Sequence, residues 1–273
     1  MSDEYAAVLP EVVAAVHAAG DRLREEFAST RAPLTRDGVY DAIHRIDQKS
    51  LAVLRPRLAQ ARPGAGWVED ELDDGPLPAG EWWVIDPAEG AINHVQGIRE
   101  WATSATLVRD NEPVLTVVYV PLEDATYTAT RGHGAFHNGT RLRVSAKTEF
   151  RAALVGTGQA SPRESTETFE LIGRTLAAMM GAAGLTRSAV PSTLQLIHVA
   201  AARMDLFWQH SAVRSGLLAG ALLVQEAGGT VTAIDGQPWS LHSRDFLAAA
   251  PGVHEAAVDL LMTSLADSPM PAR

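Results

Sequence analysis

The stretch WWVIDPAEGA, residues 82–91, decides how this sequence is read: an apolar run of strand type ends in Asp86, Pro87, a second acid at Glu89, and Gly90. Where a strand turns into a helix near Gly90, the two carboxylates can point into one cavity. The amides of Gly90, Ala91 and Ile92 would face the same space. Carboxylate and carbonyl oxygens suit a hard cation such as Mg²⁺, and free amides at a helix start suit a phosphate. Together they describe a metal-assisted phosphoryl site. The same residues would also serve a plain structural role, with Asp86 capping the helix and Glu89 in its first turn. Both readings stand at this point.

Working outward, further acids lie upstream. Glu69-Asp70-Glu71 follows the short apolar pair Trp67-Val68, and Asp47 sits in RIDQKSL. Singly, Asp47 reads as a helix surface charge and the acidic triplet as a solvated loop. The 273-residue chain is 46% hydrophobic, enough for a sizeable core in one large domain or two fused halves. With 33 acidic against 23 basic residues, its net charge of −10 argues against nucleic acid or an anionic membrane as the main partner. An anionic substrate would need cations to bridge it to the protein. The sequence contains no cysteine, which excludes disulfides, thiolate metal sites and thiol nucleophiles. The N-terminus lacks a basic leader, and no apolar run approaches the ~18 residues of a membrane span. These features predict a cytoplasmic protein.

Periodicity predicts a helix over 5–27, with Val8, Val12, Val13, Val16 and Leu23 on one face. A second helix is predicted over 39–61, kinked or split at Pro56. Residues 61–81 read as a loop around a short strand at Trp67-Val68. ATSATLVRD and VLTVVYVPL predict a hairpin turning at Asn-Glu-Pro, and ATYTATRGHGAFHNGTRLRVS continues the antiparallel pattern. Near Lys147 the texture changes. LVGTGQA, GTVTAI and DFLAAA read as strands. ETFELIGRTLAAMMGAAG and SGLLAGALLVQEAGG read as helices, and STLQLIHVAAARMDLFW as a helix running into a strand.

RIDQK, VEDE, WWVIDPAEG, GAFHNGTRLRVS, ARMDLFW and GLLAGALLVQEAGG occur in this order, and in it the chain resembles the inositol monophosphatase superfamily of Mg²⁺-dependent, Li⁺-sensitive phosphomonoesterases. The family's usual motifs are T-D, G-E-E, D-P-I/L-D-G-T and W-D-x-A-A-G. The resemblance covers residues 5–252. It implies a layered αβαβα sandwich of mixed α/β class, with an N-terminal α+β half over 1–148 and a C-terminal α/β half over 149–273. The cleft between the halves would hold the site, and the protein would be a homodimer.

By the same resemblance, Asp47 matches the aspartate that helps to activate water, and Glu71 would share that task. Asp70 and Asp86 would be ligands of the first metal, joined by the Ala88 carbonyl. Glu89 stands for the second aspartate, a ligand of the second metal. Gly90 and Ala91 fall where amides hold the phosphate. Gln209 aligns with a substrate-contacting glutamate, and Arg214, beside a missing ligand, could hold a phosphate bidentately. The chain departs from the family at two chemical positions: Ala91 replaces the threonine that orients the water, and Ser215-Gly216 replaces the Trp-Asp pair that completes the second metal site. The substrate-facing G-S/T-A-A stretch is here Val190-Pro191-Ser192-Thr193. The implied function is hydrolysis of a small phosphorylated cyclitol, sugar or 3′,5′-bisphosphate nucleotide with one firm Mg²⁺ site. The alternative is a repurposed member that binds a metabolite or catalyses another step.

Three further expectations concern histidines. His133 and His137 read as surface residues of a Gly-rich turn. His94 would lie near the cavity mouth, and His198 reads as a satisfied core residue on an apolar helix.

Overall fold

The computed structural model describes residues 2–27, 32–68, 75–158, 164–211 and 214–266. The chain opens with two long helices, α1 (Ser2–Phe27) and α2 (Arg36–Ala61). Val12, Val16 and Leu23 of α1 are fully buried, as the spacing predicts. Thr35 caps α2 by accepting from the Gly38 amide at 3.1 Å. Pro56 does not split α2, which runs as one element from Arg36 to Ala61. A proline removes one backbone donor, and buried Leu54 and Leu58 hold the helix to the core on either side of it.

Seven strands follow: β1 (Gly66–Trp67), β2 (Glu81–Glu89), β3 (Ala102–Arg109), β4 (Glu112–Val120), β5 (Ala125–Thr130), β6 (Gly134–His137) and β7 (Thr140–Arg141). The short helix α3 (Ala91–Gln96) lies between β2 and β3. The strands form one sheet in sequence order, antiparallel except for the parallel pair β1–β2. The β3–β4 hairpin turns at Asp110 and Asn111, both with positive φ, and Glu112 and Pro113 already belong to the strand. Two left-handed central residues make the tight turn that matches strand twist, so the turn comes earlier than Asn-Glu-Pro.

The remaining elements are β8 (Leu154–Thr157), α4 (Thr166–Ala182), β9 (Leu185–Ser188), α5 (Ser192–Ala200), β10 (Leu206–Gln209), α6 (Arg214–Glu226), β11 (Thr230–Thr232), β12 (Phe246–Ala249) and α7 (Pro251–Ala266). Their strands build a second sheet in the order β11-β12-β10-β8-β9, with β10-β8 and β8-β9 parallel. Neither β9 nor α7 was expected from the sequence.

Three hydrophobic clusters define the layers. Val12, Val16 and Leu54 of the outer helices pack on Trp83, Ile85, Leu107 and Leu115 of the first sheet. Its other face, with Ala102, Val118 and Tyr127, packs on Leu196 and Leu222 of α5 and α6, which also meet Phe207 and Phe246 of the second sheet. The far face of that sheet is covered by Met179 of α4 and Val253, Ala257 and Leu261 of α7. The result is a five-layer αβαβα sandwich.

Candidate active site

The WWVIDPAEGA stretch becomes β2, Gly90 and the first residue of α3. In a regular strand, residues three apart face opposite sides. Here Asp86 pairs with Ser104 but Glu89 pairs with Ala102, so β2 carries one extra residue between them. This bulge puts both acids on one face of the sheet, the face that Ala102 turns toward α5 and α6. The Pro87 carbonyl inside the bulge accepts from Ser50 Oγ at 2.7 Å and Thr103 Oγ1 at 3.3 Å, which fixes it against α2. Asp47, partly buried, sits one helical turn before Ser50.

The two acids differ in surroundings. Asp86 is partly exposed, and its Oδ1 accepts from the Ala88 amide at 3.2 Å. Glu89 is only 4% exposed. Its Oε2 lies 2.6 Å from the Thr193 hydroxyl, which also approaches the Gly216 carbonyl at 2.9 Å. Ala88 is buried beside Ile46 and Trp101.

Gly90 turns the chain with φ +79, and a Cβ there would stand 3.0 Å from the Glu100 carbonyl and 3.0 Å from Pro191 Cδ. No other residue fits that crevice without strain. Asn93 and His94 both donate to the Gly90 carbonyl, at 2.8 and 3.1 Å. The Ala91 and Ile92 amides lie before those first helical bonds. Opposite stands the start of α5, entered through a cis Val190–Pro191 bond. Asn93 Nδ2 ties the two sides together, donating to the Glu100 carbonyl at 2.7 Å and the Val190 carbonyl at 2.9 Å. Gln209 ends β10 with both amide ends engaged: Oε1 accepts from Ser192 Oγ at 2.6 Å and Nε2 donates to the Ser211 carbonyl at 2.8 Å.

Asp70, Glu71 and the rest of the acidic triplet lie outside the described residues, as does the side chain of Arg214, the first residue of α6. Among the described residues no group of three or more acids or histidines gathers as a cation site. The described donors at the bulge, two carboxylates, are hard oxygens of the kind Mg²⁺ takes.

Three histidines differ from expectation. His94 does not reach the cavity mouth. It is 1% exposed, with Nε2 at 3.1 Å from the Leu23 carbonyl and its ring edge-on to Phe27 and Trp101. Burial pushes its pKa down. The apolar neighbours supplied by α1 outcompete the cleft for the ring. His198 is not a satisfied core residue. It is partly exposed, its buried Nδ1 finds no partner, and it lines a cavity of about 60 Å³ with Arg99, Glu100, Glu123, Tyr127 and Arg187. His137 stacks on Tyr127 at 4.6 Å and is partly buried rather than a free surface group. The sequence marks Ser192 and Thr193 only as part of the altered substrate-facing stretch, without their partners Gln209 and Glu89, and gives no sign of Asn93, whose partner Val190 lies 97 residues away.

The sequence model of the inositol monophosphatase family matches residues 4–267. The chain belongs to the inositol monophosphatase family. An inositol-1-monophosphatase of Rhizobium meliloti is 34% identical over 84% of this chain and 86% of that protein. A Nus factor SuhB of Pseudomonas aeruginosa is 32% identical over 78% of each. The crystal structure of extragenic suppressor protein suhB from Bartonella henselae superposes with a TM-score of 0.82 at 28% identity, covering 93% of this chain and 98% of that one. In this inositol monophosphatase family member, no helix among the described residues is long and apolar enough to cross a membrane.

Proposed function

We propose that this chain is a Mg²⁺-dependent phosphatase of a small phosphorylated metabolite: a cyclitol, a sugar or a 3′,5′-bisphosphate nucleotide. The observation that carries the reading is the one-residue bulge in β2, which sets Asp86 on the face of the sheet turned toward α5 and α6, beside the Gly90 turn. When bound, Mg²⁺ supplies the charge that polarises a phosphoryl group and acidifies a water. Asp86, with Asp70 and the Ala88 carbonyl, holds the cation. Asp47 and Glu71 orient the attacking water and take its proton. The Gly90 and Ala91 amides receive the phosphate oxygens, with Arg214 as a second anchor. Gln209 sets the side of the pocket facing the leaving group by holding Ser192. The family resemblance further supports a homodimer in the cytoplasm.

The test is phosphate release, with and without Mg²⁺, from inositol 1-phosphate, fructose 1,6-bisphosphate and adenosine 3′,5′-bisphosphate. Turnover is expected to require Mg²⁺ and to fall by at least about 10²-fold in Asp86→Asn, the scale of one preorganised charge contact. An Asp86→Asn protein as active as wild type would sink the assignment.

A second reading rests on Ala91 and Gly216, which stand where the family has a water-orienting threonine and a metal-binding aspartate. They favour a member that binds a phosphorylated metabolite without turning it over. The Pseudomonas aeruginosa relative is named a Nus factor, SuhB. On this reading wild type is silent on the panel, and the double change Ala91→Thr, Gly216→Asp creates phosphatase activity.

A further inference from the structure

Three parts of the chain meet at Gly90. A Cβ there would stand 3.0 Å from the Glu100 carbonyl, in the loop between α3 and β3, and 3.0 Å from Pro191 Cδ, at the entry to α5. The backbone of Gly90 therefore sits in a slot with a wall on each side. Asn93, 5% exposed, spans that slot: its Nδ2 donates to the Glu100 carbonyl at 2.7 Å and to the Val190 carbonyl at 2.9 Å. Both partners only accept, so the nitrogen end of the side chain must face them, and its two protons are both used. The main chain fixes Asn93 in turn. Its amide donates to the Gly90 carbonyl at 2.8 Å, and its carbonyl accepts from the Ile98 amide at 2.8 Å. Two other contacts cross the same seam. Thr193 donates to Glu89 Oε2 at 2.6 Å, which holds the first turn of α5 to the end of β2. Arg187 of β9 pairs with the Glu100 carboxylate, but these side chains are 37 and 45% exposed, and ion pairs so exposed contribute little. Neither contact reaches Val190, which leads into α5.

We propose that Asn93 is a positioning residue that sets the width of the cleft between the acids of β2 and the start of α5, and with it the grip on a phosphorylated metabolite that touches both sides. The inference rests on the phosphatase reading of the site and deepens it. A cation or inorganic phosphate on the β2 side does not use that width. A metabolite whose carbon skeleton reaches Ser192 does.

The experiment compares the two kinds of ligand on the full chain, with the fold of each variant checked by circular dichroism. Asn93→Asp keeps the shape of the side chain but has no proton for either carbonyl, and Asn93→Ala removes the side chain. In both, calorimetric binding of Mn²⁺, and of inorganic phosphate with Mg²⁺ present, is expected within about twofold of wild type. The metabolite probe is whichever of inositol 1-phosphate, fructose 1,6-bisphosphate and adenosine 3′,5′-bisphosphate wild type prefers. Its KM, or its Kd where there is no turnover, is expected to rise at least about tenfold, since a misplacement of about 1 Å can cost about 10²-fold. Variants that bind all three probes as wild type does, or that lose all three alike, overturn the proposal. Wild type supplies an arm that needs no variant to fold. A ligand favoured by the closed clamp must by linkage favour it in return. The Nδ2 protons of Asn93, followed by NMR, are therefore expected to exchange at least about tenfold more slowly with the metabolite bound, and at an unchanged rate with inorganic phosphate. No slowing, or equal slowing by both, overturns the proposal. Asp86→Asn separates the two levels: Mn²⁺ binding retained there, with the Asn93 variants still splitting the ligands, defeats only the metal assignment, whereas Mn²⁺ binding lost there without that split defeats only the role of Asn93. A wild-type chain that neither binds nor hydrolyses any of the three metabolites overturns both.

Discussion

His210 follows β10 with its ring partly buried, Nε2 lying 3.0 Å from Thr175 Oγ1. Burial, reinforced by the nearby Arg174 charge, pushes its pKa down to about 4. The unfolded chain therefore takes up this proton first as pH falls below about 6.5, the ordinary histidine value. Stability from the neutral ring is fully present above that pH and is lost progressively toward pH 4. One proton bound only by the unfolded state gives a slope of up to about 1.4 kcal/mol per pH unit. His94, His198 and His254 are shifted in the same direction, chiefly by burial, and add to it. Urea denaturation at pH 7, 6 and 5 should show stability falling with pH, and the slope should be shallower in His210→Gln. Equal slopes in the two proteins would show that this ring titrates alike in both states.

At the scale of elements, the crossing of α5 and α6 depends on Gly220. A Cβ there would stand 2.3 Å from Leu196 Cδ1 and 2.4 Å from Leu196 Cβ, and Leu196 is fully buried. Alanine would improve helix propensity by about 1 kcal/mol, but overpacking of this kind typically costs about 1–3 kcal/mol. Gly220→Ala should therefore be neutral to destabilising by up to about 2 kcal/mol by chemical denaturation. Adding Leu196→Ala removes Cγ and Cδ1 but keeps the Cβ that stands 2.4 Å from the new methyl, so the glycine change should cost less there than in wild type without becoming favourable; additive effects would show that the helices part without strain. The elements also show what was legible in the sequence. Val12, Val16 and Leu23 announce α1, and the β2–Gly90 turn is visible because its acids, proline and glycine are contiguous. α7 was not, since its buried stripe of Val253, Ala257 and Leu261 is narrow and partly alanine. In the RGHG turn only the glycines were visible. Their amides, at Gly132 and Gly134, are held by the Glu226 carboxylate at 2.7 Å each, from the end of α6. The Thr193–Glu89 contact bridges 104 residues and leaves no local signal. His94 was misplaced for the same reason: its ring is claimed by Phe27 and the Leu23 carbonyl of a helix far upstream.

At the scale of the molecule, the change of texture near Lys147 coincides with the step from the first sheet, whose strands end at Arg141, to the second, which begins at Leu154. It does not follow that the two stretches are independent. One face of the first sheet, with Ala102, Val118, Val120 and Tyr127, is covered by α5 and α6, which come from the later stretch and pack on the second sheet as well. Separated from residue 149 onward, that face would be bare, and exposed apolar surface costs roughly 25 cal/mol per Å². The middle layer thus couples the sheets, and the candidate site lies on the same seam, between β2 and the start of α5. We expect a single cooperative unfolding transition, with the slowest amides of β3 and β4 exchanging at the same opening free energy as those of β10 and β12. A gap of more than about 2 kcal/mol between the two sets, within the spread that independent cooperative units show, would mean that the sheets open separately. The site would then be lost whenever the weaker half opened, well before the chain as a whole unfolds.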